Sequence, residues 1–251
     1  MYTAVIVEPR SHPALPFVLR TVLDNLSEEW KILIFHGTAN ESYVHECMAE
    51  RPYRFLPPIR LEVENLTRQQ YNAMLMSSSF YRCIPTEMHL IFQTDTMILS
   101  EHAHLLNLFL EYDYVGAPWK NGWVGNGGLS LRRTNKMREV CERLSPSDAI
   151  SHILSRVRPL FHTENHALWH ELQTHLQETE VNEDVYFCYQ RAVPLKIPPP
   201  SIAKYFSVET VFCETSFGVH APWKQLDPAM LIRWQPSIKQ LMELQMEDTN
   251  A

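Results

Sequence analysis

Leu90-Ile91-Phe92-Gln93-Thr94-Asp95-Thr96 is a short apolar run that breaks into a polar turn carrying one carboxylate. Its length and bulk predict a buried strand with Asp95 just past its end. Working toward the N-terminus, Val5-Ile6-Val7 and Ile32-Leu33-Ile34-Phe35 are runs of the same kind, closed by Glu8-Pro9 and by Gly37. Ile59-Arg60-Leu61-Glu62-Val63 alternates as a half-buried strand. Phe17, Val18, Val22 and Leu26 are spaced for one face of a helix opening at Pro13, and a second helix starts at about Thr67 with Tyr71, Met74 and Leu75 inward. This strand–helix alternation predicts an α/β/α sandwich around a mixed, mostly parallel sheet. Ligands of such sheets sit outside the carboxyl ends of the strands, where Glu8, His36 and Asp95 fall.

Toward the C-terminus, residues 101–111 read as a helix and Tyr112-Asp113-Tyr114-Val115 as a strand. Glycine is scarce: the chain has seven, and five lie from Gly116 to Gly128. Glycine serves where backbone bends sharply or another group approaches closely, so this stretch marks a functional loop. From about Thr134 to Glu178 the pattern is helical, broken at Pro146 and Pro159. Pro198-Pro199-Pro200 marks a rigid turn before a last strand pair. One domain is expected over residues 1–226, with 227–251 forming a closing amphipathic helix and tail.

Composition narrows the function. The 251 residues carry 22 basic and 29 acidic side chains, a net charge of −7, with no basic run. Phosphate neutralisation needs clustered Lys and Arg, so nucleic acid is not an expected partner. No apolar run reaches the roughly 18 residues of a membrane span. Five dispersed cysteines without a C-x-x-C pair point to a reducing compartment and a cytoplasmic location. His162, His166 and His170 share a helix face, but without the H-E-x-x-H pattern they read as a solvated stripe.

Four segments, in order, resemble the motifs of GT-A glycosyltransferases. Ile91-Phe92-Gln93-Thr94-Asp95-Thr96 is similar to the strand and acidic motif beside the donor diphosphate, with Gln93 in place of the first Asp of D-x-D. Val124-Gly125-Asn126-Gly127-Gly128-Leu129-Ser130-Leu131-Arg132 resembles the glycine segment near donor sugar and acceptor. Asn182-Glu183-Asp184-Val185-Tyr186-Phe187 resembles the later acidic motif that supplies the base in inverting members. Ser216-Phe217-Gly218-Val219-His220-Ala221-Pro222-Trp223 is similar to the segment whose histidine completes the metal site. The set is most similar to glycosyltransferase-like proteins of large DNA viruses, fungi and bacteria.

The resemblance implies a GT-A-like, Rossmann-like fold and inverting transfer of a sugar from a nucleoside diphosphate, UDP above others, to the hydroxyl of a glycan, protein or small molecule. Asp95 and His220 would hold Mn²⁺ or Mg²⁺, which offsets the charge developing on the leaving diphosphate. Asp184, with Glu183 as the alternative, would take the acceptor's proton. Glu8, Arg10, Asn72, Asp95, Gly127 and Gly128 are candidates for donor contacts, and Trp119, Trp123 and Asn126 for sugar or acceptor contacts. Each also has a plainer reading: Glu183-Asp184 as the acidic first turn of a helix, Gly127-Gly128 as a hairpin turn, the tryptophans as core or rim aromatics. Two rival classes stay open. One is a nucleotide-sugar-binding module without transfer, favoured by the altered D-x-D. The other is a metal-dependent hydrolase of nucleotide sugars or phosphate esters, which would need more convergent Asp and His ligands.

Overall fold

In a computed structural model, described over residues 1–148 and 181–249, the central sheet has six strands. They are β1 (Tyr2–Val7), β2 (Trp30–His36), β3 (Ile59–Arg60), β4 (Met88–Phe92), β6 (Tyr114–Val115) and β7 (Leu129–Arg133), in the order β3-β2-β1-β4-β7-β6. The pairs β1–β2, β1–β4 and β2–β3 are parallel, whereas β7 runs antiparallel to both β4 and β6. A second, three-stranded sheet joins β5 (Thr96–Ile98), β9 (Gly218–His220) and β8 (Ser207–Val208) in the order β5-β9-β8.

Side-chain alternation divides the core into the two layers of a sandwich. Ala4, Ile6, Ile32, Ile34, Leu90 and Phe92 face one way, onto α1 (Leu15–Asn25) and onto Leu231, Ile238 and Leu241 of the C-terminal helices. Val5, Val7, Leu33, Phe35 and Ile91 face the other, onto Leu75 of α3 (Arg68–Leu75), Phe80 of α4 (Ser78–Arg82), Met137 of α5 (Thr134–Arg143) and Tyr186 of α6 (Glu183–Tyr189). Burial on both faces is why these strands read as unbroken apolar runs. Strand order reverses between β1 and β4, so the crevice for a ligand opens where Glu8 and Asp95 leave the sheet.

Several boundaries differ from the sequence reading. The strand expected over 59–63 pairs only through Arg60, after which Leu61 N–H donates to the His36 carbonyl at 2.7 Å and the chain turns away. The helix expected over 101–111 is a 3₁₀ helix over Ser100–Phe109. Helix α2 (Glu41–Met48) buries only Val44, too little for a periodic signal. Thr96, read as the end of a turn, begins a strand with Met97 and Ile98 that pairs with β9. The C-terminal segment is two helices, not one. Asp227 accepts from Ala229 N–H at 3.0 Å and starts α8 (Pro228–Trp234), and Pro236 separates it from α9 (Ser237–Thr249). The helical stretch expected beyond residue 148, with His162, His166 and His170, lies outside the described residues. No helix among the described residues is long and apolar enough to cross a membrane.

Candidate active site

The cleft forms where the two sheets meet. Gln93, Thr94 and Asp95 leave the end of β4, and antiparallel pairing of Phe92 with Leu129 brings Gly127-Gly128 alongside them. Thr96 pairs with His220, and Ala221 N–H donates to the Asp95 carbonyl at 2.9 Å, which fixes His220 beside Asp95. Parallel pairing of Val208 with Val219 then sets Glu209 next to His220.

Asp95 is the hub. Its Oδ1 lies 3.2 Å from His220 Nε2, and its Oδ2 accepts from Lys224 Nζ at 3.0 Å. Burial opposes ionisation of Asp95, but His220 first and Lys224 second hold it well below the usual carboxylate range. Burial likewise opposes a charged His220; Asp95 and then Glu209 outweigh it and lift the imidazole to about 10. His220 Nε2 also lies 3.2 Å from Gln93 Oε1.

Asp95 Oδ1 and Gln93 Oε1 therefore stand together with His220 Nε2, which would become a third ligand atom on releasing its proton. Their two 3.2 Å separations match neighbouring ligands on one cation, which lie about 3 Å apart when each is about 2.1 Å from the metal. Asp95 Oδ1 is buried, and its charge contact with His220 lacks hydrogen-bond alignment. The donor set thus fits a hard or borderline divalent cation. Among the described residues no group of three His, Cys, Asp or Glu gathers to hold a metal, so such a cation would take most of its shell from a bound ligand and water.

The glycines are explained by what lies over them. A Cβ on Gly128 would come within 2.1 Å of His220 Nε2, one on Gly127 within 1.7 Å of Glu183 Oε1, and one on Gly125 within 1.9 Å of the Trp119 ring. Two non-glycine residues among those described take positive φ, Asn126 at 59° and Ala221 at 41°. One precedes the glycine pair and the other follows His220. Backbone held in this costly region at both edges of a cleft is typical of functional sites.

The acidic pair divides. Glu183 is 4% exposed and faces Arg132, whose Nη2 donates to its Oε1 at 2.9 Å. Arg132 Nη1 lies 2.9 Å from Oε2 as a charge contact without hydrogen-bond alignment. The guanidinium also binds Ser130 Oγ and the Gly127 carbonyl and lies over the Tyr114 ring. Glu183 is thus committed to a buried ion pair. Asp184 is half-buried, and its Oδ1 accepts only from Val185 N–H at 2.7 Å. Burial, then the Glu183 charge, raises its carboxyl to about 6, a value suited to a general base near neutral pH.

A cavity of about 390 Å³ opens on the other side of Asp95, lined by Glu8, Arg10, Arg68, Tyr71, Gln93 and Asp248 among others. Glu8 is tied to Arg10 through Nε and Nη2 at 2.9 and 3.0 Å, and Arg10 Nη1 reaches Asp248 of α9 at 2.6 Å. Gln245 of α9 donates to the Thr94 carbonyl at 2.7 Å, so the C-terminal helix forms one wall.

Other expected residues stand apart from this cavity. Asn72 holds the start of α6, donating to Asn182 Oδ1 at 3.3 Å and facing Glu183 N–H at 3.5 Å; its side chain does cap a helix, though not its own. Trp123 stacks on Tyr189 with ring centroids 4.6 Å apart, and Trp119 lies tilted against the same ring at 6.2 Å. His36 is buried against the Gly37 carbonyl. Sequence reasoning missed Lys224, Glu209 and Arg132. Arg132 closes the glycine motif and Lys224 follows Trp223 by one residue, so both were within reach of the motifs; nothing in the sequence marks Glu209.

Eight buried side-chain atoms among the described residues lack a hydrogen-bond partner. Six belong to Tyr71, Asp95, Asn126, Glu183, Glu209 and His220. Such atoms are rare and costly in folded proteins; Asp95 Oδ1, Glu183 Oε2 and His220 Nδ1 face ion-pair partners, and the set gives the cleft a polar lining.

Residues 59–220 match the protein family described as "Protein of unknown function (DUF5672)". No curated protein matches the chain. Among solved structures, the galactosyltransferase LgtC in complex with donor and acceptor sugar analogs superposes with a TM-score of 0.54, at 11% identity over 96% of this chain and 94% of LgtC. An active-site mutant of LgtC gives 0.56, at 11% identity over 97% and 95%. TarS 1–349 of S. aureus in complex with UDP-GlcNAc matches at 12% identity and a TM-score of 0.41, over 55% of this chain and 47% of its own, so the chain spans under half of that structure. At such identities the likeness is one of fold, and the fold is that of the GT-A glycosyltransferases.

Proposed function

We propose that this chain, which belongs to the DUF5672 family, is a glycosyltransferase that moves a sugar from a nucleoside diphosphate, UDP above others, to an acceptor hydroxyl with inversion. The observation that carries the reading is the gathering of buried polar atoms without a hydrogen bond at the carboxyl edge of a GT-A sheet, with Asp95 at its centre. The motif set also relates the chain, in our reading, to glycosyltransferase-like proteins of large DNA viruses, fungi and bacteria.

The cleft divides into a sequence of subsites. The cavity between Glu8, Arg10 and Tyr71 takes the nucleoside. Asp95, Gln93, His220 and Lys224 take the diphosphate end. Asp95, His220 and Gln93 would hold Mn²⁺ or Mg²⁺, which supplies Lewis-acid neutralisation of the leaving diphosphate. Lys224 places a cation of the chain's own on the same side, and its ammonium, released from Asp95, faces the phosphate oxygens. Gly127 and Gly128 let backbone approach the donor closely because no Cβ intervenes. Asp184, half-buried and near 6, accepts the acceptor's proton as the hydroxyl attacks the anomeric carbon. Glu183 keeps Arg132 and the glycine segment in place.

Incubating the protein with UDP-sugars and Mn²⁺, with and without acceptor glycans, and measuring released UDP tests the reading. Acceptor-stimulated UDP release that Asp184→Asn abolishes is the expected result. UDP binding with no transfer under any donor would make the chain a binding module, and release independent of acceptor a hydrolase.

A further inference from the structure

Glu209 has no role in the scheme above, yet its surroundings give it one. It follows β8 and stands beside His220, with Oε1 3.7 Å from His220 Nδ1. Its Oε2 is buried and has no partner. Thr210, the next residue, donates to the Pro118 carbonyl at 3.0 Å, so Glu209 lies beside His220 where the chain turns toward the glycine segment. On the glycosyltransferase reading, the interval between His220 and the glycine segment takes the donor sugar. Asn126, next to the glycine pair, presents a second unpartnered buried oxygen, Oδ1. Two buried acceptors without donors fit a ligand rich in hydroxyl groups.

The charges around this interval are one-sided. His220 and Lys224 are engaged by Asp95, and Arg132 by Glu183. Glu209 shares His220 with Asp95, at 3.7 Å from its Nδ1, and among the described residues Asp184 has no ion-pair partner. A negatively charged sugar would therefore meet two carboxylates and no free cation among these residues, and removing a charge from water without a partner is strongly unfavourable.

We infer that Glu209 is a specificity-determining residue for the donor sugar: its carboxylate accepts hydrogen bonds from the hydroxyls of an uncharged sugar and turns away a sugar that carries a carboxylate. The inference rests on the glycosyltransferase reading and deepens it. The rival role is an indirect one, in which Glu209 only orients the His220 ring.

Calorimetric titration of the full chain with Mn²⁺ present separates the two, using UDP, UDP-glucose, UDP-galactose and UDP-glucuronic acid. Wild type should bind the better of the two hexose donors at least about ten-fold more tightly than UDP-glucuronic acid. Glu209→Gln should weaken that hexose donor by about ten- to a hundred-fold, the range for losing a hydrogen bond to a charged group. It should leave UDP within about two-fold and narrow the gap to UDP-glucuronic acid. Glu209→Asp, which keeps the charge, should still exclude UDP-glucuronic acid, and it carries the test if the Gln variant melts early. Equal loss of UDP and UDP-hexose would reduce Glu209 to orienting His220 and overturn the inference, as would wild-type affinity for UDP-glucuronic acid equal to that for the hexose donors. Wild type that binds neither UDP nor any UDP-sugar would overturn the glycosyltransferase reading itself, and this inference with it.

Discussion

Glu183→Gln separates a structural carboxylate from a catalytic one. The Arg132 side chain is 0% exposed and that of Glu183 5%, so the pair is sealed from water. The variant keeps the shape and one acceptor oxygen but sets an amide N–H₂ against a guanidinium that has only donors. Arg132 would keep Ser130 Oγ, the Gly127 carbonyl and the Tyr114 face, yet its charge would be uncompensated. Breaking a buried pair from one side costs about 3–5 kcal/mol. For a chain of this size each kcal/mol moves the melting temperature by about 2–4 °C, so a fall of roughly 6–20 °C is expected. Urea unfolding of wild type and variant, with equal m-values, measures the difference directly. In a cycle with Arg132→Met the double variant should cost clearly less than the two singles summed. A loss below about 1 kcal/mol, accompanied by loss of transfer, would refute the reasoning and make Glu183 the base.

Asp184→Asn should lower transfer by about 10²–10⁴-fold with donor affinity little changed, and kcat/KM of wild type should rise with pH through about 6. The same carboxyl gives a stability signature. Because its folded value lies above its ordinary one, the native state holds the extra proton between about 4 and 6 and loses stability as pH rises through that window. Asp184→Asn should then be no less stable than wild type at pH 8, with its relative advantage gone by pH 4. Gly128→Ala would set a methyl group 2.1 Å from His220 Nε2; since that ring must move, UDP affinity in titration calorimetry should fall by ten-fold or more (about 1.4 kcal/mol) while the fold persists. Lys224→Met removes a side chain that is 62% exposed, so the melting curve should hardly move while UDP affinity drops. Excess EDTA should abolish UDP binding, and full binding without free divalent metal would leave Lys224 and His220 as the diphosphate's only counter-charges.

The sequence reading reached what local pattern encodes. Runs such as Ile32-Leu33-Ile34-Phe35 are apolar on both faces because helices cover both faces of the sheet, and Thr67 announces α3 through a capping box with Gln70. The glycine cluster was legible as a place of close approach, though not what approaches: Glu183 and His220 lie 56 and 92 positions after the glycines they cover and Trp119 lies 6 before, and only the fold brings them in. Short elements escaped for the same reason. Thr96-Met97-Ile98 is a strand only because Gly218-Val219-His220 lies beside it. Glu183 and Asp184 are adjacent acids in one helical turn, and sequence could not tell them apart; the buried Arg132 that claims Glu183 lies 51 residues earlier.

The altered acidic motif is the point at which these observations meet. A D-x-D pair would add a second carboxylate at position 93, and its charge would need a cation whenever the cleft is empty. Here Gln93 supplies a neutral oxygen, and Asp95 is already balanced by His220 and by Lys224. The chain's own cations therefore come close to satisfying Asp95 electrically, which explains how a buried carboxylate stays ionised there. Arrival of a diphosphate changes the balance, because it competes for Lys224 and brings negative charge that the remaining protein cations match only in part. A divalent ion would then join the site together with the diphosphate rather than ahead of it. On the proposed reading, Gln93 in place of an Asp would not exclude a metal but would tie its binding to the presence of the donor.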